Sequence, residues 1–308
     1  MARLRVVFAF RPRKRFHGAR IMRVDQLSAI ARAHLGERYE FQTMELFRAG
    51  QPRRQRQALK ALRGAVVVFL KGSGACFDVD GLARLRAETA GICIDHVDAV
   101  VGLGPIYPIA DLHIFSSHAG MRAMARRVPG EAAFVTHHAD PRILTRDHRA
   151  AEAARPGYFG ADFNTVVPEA LKPHFDQADF AFSEDFDHAL ARMPEVNLHW
   201  AIRDQGWRGD PPLPAWKPFT KGFNAAWAGA NVIADRGEDD AVEYLGEDYP
   251  YLAEDASEPA LMNAFARAEA TVGGEEWRRG LERMAAVRAR SAPNVVAAEL
   301  NAALKRFV

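Results

Sequence analysis

Two cysteines in 308 residues, Cys76 and Cys93, stand seventeen positions apart. That is neither the paired spacing of a zinc site nor the density of a disulfide scaffold; their expected state is a pair of buried, reduced thiols. Long hydrophobic runs are also missing. The best, residues 65–70, falls far short of the roughly 18–20 residues a membrane-spanning helix needs. The N-terminal apolar stretch at 6–10 is too short for a signal-peptide core and runs into Arg11 and Pro12. It therefore reads as a first strand, and the expected location is cytoplasmic. Acid is scarce where base is plentiful. Residues 1–63 hold sixteen Lys/Arg against Asp25, Glu37, Glu40 and Glu45, a local charge of +12, while the remainder carries −10. The formal total of +2 hides this split. Such two-sided charge favours an anionic partner or substrate at the N-terminal end and suits peripheral docking on an anionic membrane. Nucleic acid is disfavoured, because the basic residues lack interleaved aromatics apart from Phe16 and form no recognised module.

With 48% hydrophobic and 26% charged residues the composition is that of a globular protein, and the length favours two domains. Short apolar runs alternate with helical patterns. Strands are expected at 5–10, 39–42, 66–70, 92–95, 112–115 and 133–136. Helices are expected at 22–35, 53–62, 80–89 and, capped by Ser117, up to Arg127. This alternation implies a parallel sheet covered on both faces. The polar stretch 137–156 reads as a linker, placing the domains at 1–150 and 151–308. The rhythm then restarts, with strands at 157–160, 180–182, 196–202 and 231–234 and helices at 166–175, 186–191 and 220–228. From about residue 257 the chain is helical, with its final helix expected to fold back on the N-terminal domain. The fold class is α/β: two Rossmann-like domains with parallel sheets facing a cleft, and a helical C-terminus.

The most informative segment is 217–234, KPFTKGFNAAWAGANVIA. Lys217, Thr220 and Lys221 gather at a helix start, where orphan N–H groups and the positive dipole end attract an anion. Small residues then let the helix lie close to a sheet. This segment resembles the donor-site helix of GT-B glycosyltransferases, in the nucleotide-sugar-dependent family 4-like group, where patterns of the type KP-x-TK-x-x-NA-x-x-AG-x-x-VI precede the last strands. Residues 244–252, the glycine turn at Gly160 and the Ser116–Ala119 region resemble other parts of that fold in order.

The resemblance implies a metal-independent hexosyltransferase-like enzyme without a cofactor, taking a nucleotide-sugar as substrate. Its donor diphosphate would sit near Lys217, Thr220 and Lys221, with Asn224, Gly160 and Arg203 as further donor-side residues and Asn164 near the glycine turn. Retaining members carry two Glu eight residues apart on the donor segment; here Trp216 and Asn224 stand in their places. His96, after the strand at 92–95, corresponds to a histidine that touches the transferred sugar, with Asp95 or Asp98 to orient it or serve as base. Arg11, Gly18 and Lys71 fall on the acceptor side, and the acceptor itself is expected to be anionic. Retention and inversion both stay open. Two rivals stand beside this reading, a non-catalytic binder of the same fold and a nucleotide-sugar epimerase. The HHxD run of His137, His138 and Asp140 suggests no metal, since adjacent residues of an extended segment face opposite ways.

Overall fold

Continuous Val/Ile/Leu/Phe runs form strands only where both faces are covered, and the N-terminal runs do so in the computed structural model. It describes residues 3–12, 18–98, 105–178, 186–204, 216–238 and 240–308. Strands β1 (Leu4–Phe10), β2 (Tyr39–Glu45), β3 (Val66–Leu70), β4 (Gly91–Asp95), β5 (Leu112–Phe115) and β6 (Glu131–Phe134) make one parallel sheet in the order β2-β1-β3-β4-β5-β6. Central β3 reads VVVFL, with Val66 opposite Val6 and Gly91 on its two sides. Helices α1 (Gly18–Arg20), α2 (Leu27–Leu35), α3 (Pro52–Leu62), α4 (Val79–Glu88) and α5 (His118–Met124) connect these strands, and a π-helical turn, Ile21–Gln26, joins α1 to α2. Their starts follow local chemistry. Proline opens α3, the Asp78 carboxylate accepts from the Gly81 N–H at α4, and the Ser117 hydroxyl accepts from Gly120 at α5.

A second parallel sheet holds β7 (Pro156–Phe159), β8 (Asp176–Ala178), β9 (Leu198–Trp200), β10 (Asn231–Asp235) and β11 (Leu252–Ala253), in the order β11-β10-β9-β7-β8. Its helices are α6 (Phe186–Arg192), α7 (Thr220–Ala228), α8 (Ala241–Leu245), α9 (Glu258–Thr271) and α10 (Glu275–Arg290). The helix expected at 166–175 is not there. Pro168 and Pro173 remove backbone donors inside it, and only the 3-10 turn Lys172–His174 forms. The strand expected at 180–182 lies outside the described residues. On α7 the small residues Ala225, Ala226 and Ala228 are buried, and Gly229 ends the helix at φ +82. Gly222 has no room for a Cβ, which would sit 1.8 Å from the Phe219 ring.

The chain divides into two compact units. One is Met1–His137, Ala215–Pro218 and Pro293–Val308; the other is His138–Pro214 and Phe219–Ala292. The division thus falls at His137/His138 rather than near residue 150. The polar stretch read as a linker is folded into the second unit, where Ala139 and Ile143 join the core and the buried Asp140 carboxylate is satisfied by Arg142. The last helix, α11 (Pro293–Leu304), belongs to the first unit. Its Val296, Leu300 and Leu304 are fully buried beside Val24, Leu27 and Ala31, and its Glu299 accepts from the backbone N–H and hydroxyl of Thr136. No helix among the described residues is long and apolar enough to cross a membrane.

Candidate functional site

In the first unit, chemistry gathers at the carboxyl edge of the sheet, where open α/β sheets bind ligands. Asp95 ends β4 and is buried. Its Oδ2 accepts from the Nε of Arg23 at 2.8 Å, and Arg23, with no exposure at all, also donates to the Thr136 carbonyl at 3.1 Å. Sequence reasoning assigned Asp95 to His96; the structure gives its carboxylate to an arginine 72 residues earlier. Arg23 comes from the π-helical turn, and no local pattern points to it.

His96 is oriented by neither flanking aspartate. Its ring Nε2 lies 2.9 Å from His113 Nδ1, its plane stacks on Phe115, and its backbone N–H donates to Ile114. Burial lowers the His96 pKa to about 3, with His113 adding to the effect, and lowers that of His113 to about 4. Both imidazoles are therefore neutral near pH 7. His113 was missed by sequence reasoning, although one polar residue inside the apolar strand LHIF was a usable signal. Next to His96, Val97 holds φ +57, a left-handed conformation unusual for a β-branched residue, and its carbonyl accepts from the Ser116 hydroxyl at 3.1 Å. Lys71, after β3, is also left-handed at φ +50, and its Nζ meets Asp98 Oδ2 at 2.5 Å. So Asp98 neutralises Lys71 rather than orienting His96.

Arg11 follows β1. Its backbone N–H donates to the Ser73 hydroxyl at 3.2 Å, while the residue itself is exposed. Gly18 opens α1 on the surface. A Cβ there meets nothing within 4 Å, so packing does not require glycine. Arg13, Lys14 and Arg15 lie outside the described residues.

The second unit supplies the start of α7. Thr220 is its first residue, and Phe219, which precedes it, makes no side-chain capping hydrogen bond. Lys221 Nζ lies 5.1 Å from the centroid of the Tyr158 ring. The Tyr158 hydroxyl donates to the Ala161 carbonyl at 2.9 Å, and a Cβ on Gly160 would sit 2.7 Å from that hydroxyl oxygen. Tyr158, which sequence reasoning passed over, thus explains the glycine turn and meets the lysine. Asn224, one turn along α7 from Lys221, has a buried Oδ1 with no hydrogen-bond partner. Asn164 closes the 3-10 turn after Gly160, its carbonyl accepting from Asp204.

Two expected donor residues are placed differently. The Arg203 guanidinium is buried against Glu238, Nη2 to Oε1 at 2.5 Å, so its charge is neutralised inside the protein instead of being offered to a phosphate. Glu238 itself is only 4% exposed. Nearby Asp235 has its pKa raised by burial, against the opposing hydrogen bonds of the Gly237 and Glu238 N–H groups and the charge of Arg203. Lys217 lies in the segment that belongs to the first unit, as does Trp216, which packs on Phe115 and Met124. Lys221 of the same motif belongs to the second unit. In the HHxD run, Asp140 is held by Arg142. Among the described residues no three His, Cys, Asp or Glu cluster closely enough to hold a metal ion.

The sequence matches no family model and no curated protein. Solved structures, by contrast, match along almost the whole length. A sucrose-phosphate synthase from Thermosynechococcus elongatus superimposes with a TM-score of 0.66 at 12% identity, covering 99% of each chain. A glycosyltransferase from Rickettsia africae gives 0.65 at 9% identity, over 100% of this chain and 99% of that one. The Anabaena protein HepE, in complex with UDP, gives 0.62 at 11% identity, over 98% and 100%. Two parallel-sheet α/β units with a helical C-terminus, matched from end to end in these proteins, give this chain the GT-B fold of glycosyltransferases.

Proposed function

We propose that the chain is a hexosyltransferase-like glycosyltransferase that takes its sugar from a nucleotide-sugar bound on the second unit and passes it to an acceptor bound on the first. The observation that carries this reading is the buried Asn224 Oδ1 on α7, which has no hydrogen-bond partner, one turn on from Lys221 near the helix start. The positive end of the helix dipole favours a diphosphate there, and Lys221 adds charge of the right sign. A buried acceptor without a partner costs roughly 1–3 kcal/mol, and a ribose hydroxyl supplies the missing donor. With the leaving diphosphate's charge met by protein groups, the transfer runs without a divalent ion. On the acceptor side, His96 offers a neutral imidazole, suited to hydrogen-bonding a sugar hydroxyl rather than pairing with an anion. UDP is the probe of choice, since HepE binds it on the same fold. Calorimetric titration of UDP and UDP-glucose into wild type, Lys221→Ala and Asn224→Ala is expected to show Kd rising at least tenfold in each variant. Binding indifferent to both changes refutes the donor assignment.

One feature favours a second reading, a nucleotide-sugar binder without catalysis: Trp216 and Asn224 occupy the places of the paired glutamates, and Trp216 packs into an apolar cluster. Turnover separates the two. Binding of UDP-glucose with neither transfer nor hydrolysis supports the binder.

A further inference from the structure

A pocket of about 270 Å³ opens at the carboxyl edge of the first unit's sheet. Its parts come from three strand ends: Arg11 and Pro12 after β1, Phe47 and Arg48 after β2, Ala75 and Cys76 beyond β3. In the order β2-β1-β3 the chain leaves β1 first to one side and then to the other. This is the switch point at which open α/β sheets leave a crevice for a ligand.

The polarity of the pocket is one-sided. Arg11 and Arg48 are exposed, and neither has an ion-pair partner among the described residues. The nearby cation Lys71 is already neutralised by Asp98. The floor adds no negative charge, because burial pushes the Cys76 thiol up to about 11 and leaves it protonated. Phe47 is 3% exposed and presents an apolar wall. Two guanidinium forks without carboxylates match the oxygens of a phosphate, which they can hold by paired hydrogen bonds. At about 30 Å³ per water the space holds roughly nine waters, which suits a small molecule rather than a polymer.

We propose that this pocket binds a phosphomonoester, with Arg11 and Arg48 holding the phosphate and Phe47 receiving the apolar face of a small carbon skeleton such as a sugar ring. Under the transferase reading, on which its role though not its binding rests, the ligand is a phosphorylated acceptor.

The test is calorimetry on the full chain at low salt with glucose 6-phosphate, inorganic phosphate and uncharged glucose, alongside co-sedimentation with phosphatidylglycerol vesicles. Glucose 6-phosphate is expected to bind at least tenfold more tightly than glucose, inorganic phosphate to compete with it, and Arg11→Gln or Arg48→Gln each to raise its Kd at least tenfold. Lys60→Gln, an exposed change on α3 outside the pocket lining, is expected to raise that Kd by less than threefold. Equal binding of glucose, or indifference to both arginine changes, overturns the assignment. So does vesicle binding abolished by the two changes with no binding of the soluble ester, which would make the anion a lipid headgroup. UDP measured on the same samples keeps the two readings apart. Protein that binds UDP but not glucose 6-phosphate removes this inference alone; protein that binds glucose 6-phosphate through both arginines but not UDP sustains it and removes the donor assignment.

Discussion

Asp95→Asn separates a structural carboxylate from a catalytic one. Asp95 faces Arg23 at 2.8 Å, and the arginine has no exposed surface and one other hydrogen bond, to the Thr136 carbonyl. Arg23 Nη2 and Asp95 Oδ1 already lack partners, so little else compensates the guanidinium. Removing one member of such a buried pair leaves an unbalanced charge and costs about 3–5 kcal/mol. At about 2–4 °C per kcal/mol for a body of this size, melting of the first unit should fall by about 6–20 °C. Replacing both partners by apolar residues, Arg23→Met with Asp95→Leu, removes the charge altogether and is expected to recover most of that loss. Scanning calorimetry reads each Tm, and UDP-glucose turnover is measured below the lowest of them. An Asp95→Asn protein with the wild-type Tm but no turnover would refute the reasoning, because it would place the carboxylate on substrate rather than on Arg23.

Other outcomes follow from burial. His96, His113 and, in the second unit, His199 have pKa values lowered to about 3, 4 and 4, burial being the main cause. The unfolded chain takes up protons below about pH 6.5 that the folded one refuses, so these groups withdraw stability as the pH falls from about 6.5 to about 4. Urea midpoints across that range should drop less steeply in His113→Asn than in wild type; parallel slopes would contradict the burial argument. Leu300→Ala, at a fully buried position of α11, should cost about 2–5 kcal/mol in urea unfolding of the first unit. An unchanged midpoint there would mean that α11 is not part of that core.

Legibility tracked sequence distance. The strand 66–70 and the helix 220–228 could be read to the residue, because period, small residues and Gly229 act within one element. The 166–175 helix failed on a local signal that was available, two prolines inside an otherwise helical pattern. Asp95 and Arg203 failed for the opposite reason. Each is a charged residue whose burial depends on a partner from elsewhere, Arg23 from the π-helical turn and Glu238 from beyond β10. A sequence shows that such a group is charged but not whether the fold has already used the charge. The His96–His113 pair lies between these cases: adjacent parallel strands bring the two rings together, and strand order is a property of the whole sheet.

That distinction between used and unused charge changes the meaning of the basic N-terminal segment. Several of its arginines are taken up internally. Arg23 meets Asp95, Arg20 meets Asp25, Arg63 meets Glu88, and Arg3 and Arg5 donate to backbone carbonyls. Part of the surplus stays at the surface, most densely on α3. Arg11, Arg48, Arg53, Arg54, Arg56 and Lys60 are exposed and make no ion pair among the described residues. The last four lie on α3, whose opposite face buries Gln55, Ala58, Leu59 and Leu62. Like charges gathered on one surface repel and weaken the folded state, so they do not serve stability. Their field does raise the local concentration of anions, over a Debye length of about 10 Å at 0.1 M salt. The α3 cations therefore act at long range on how fast an anion arrives, whereas Arg11 and Arg48, at the pocket itself, govern how long it stays.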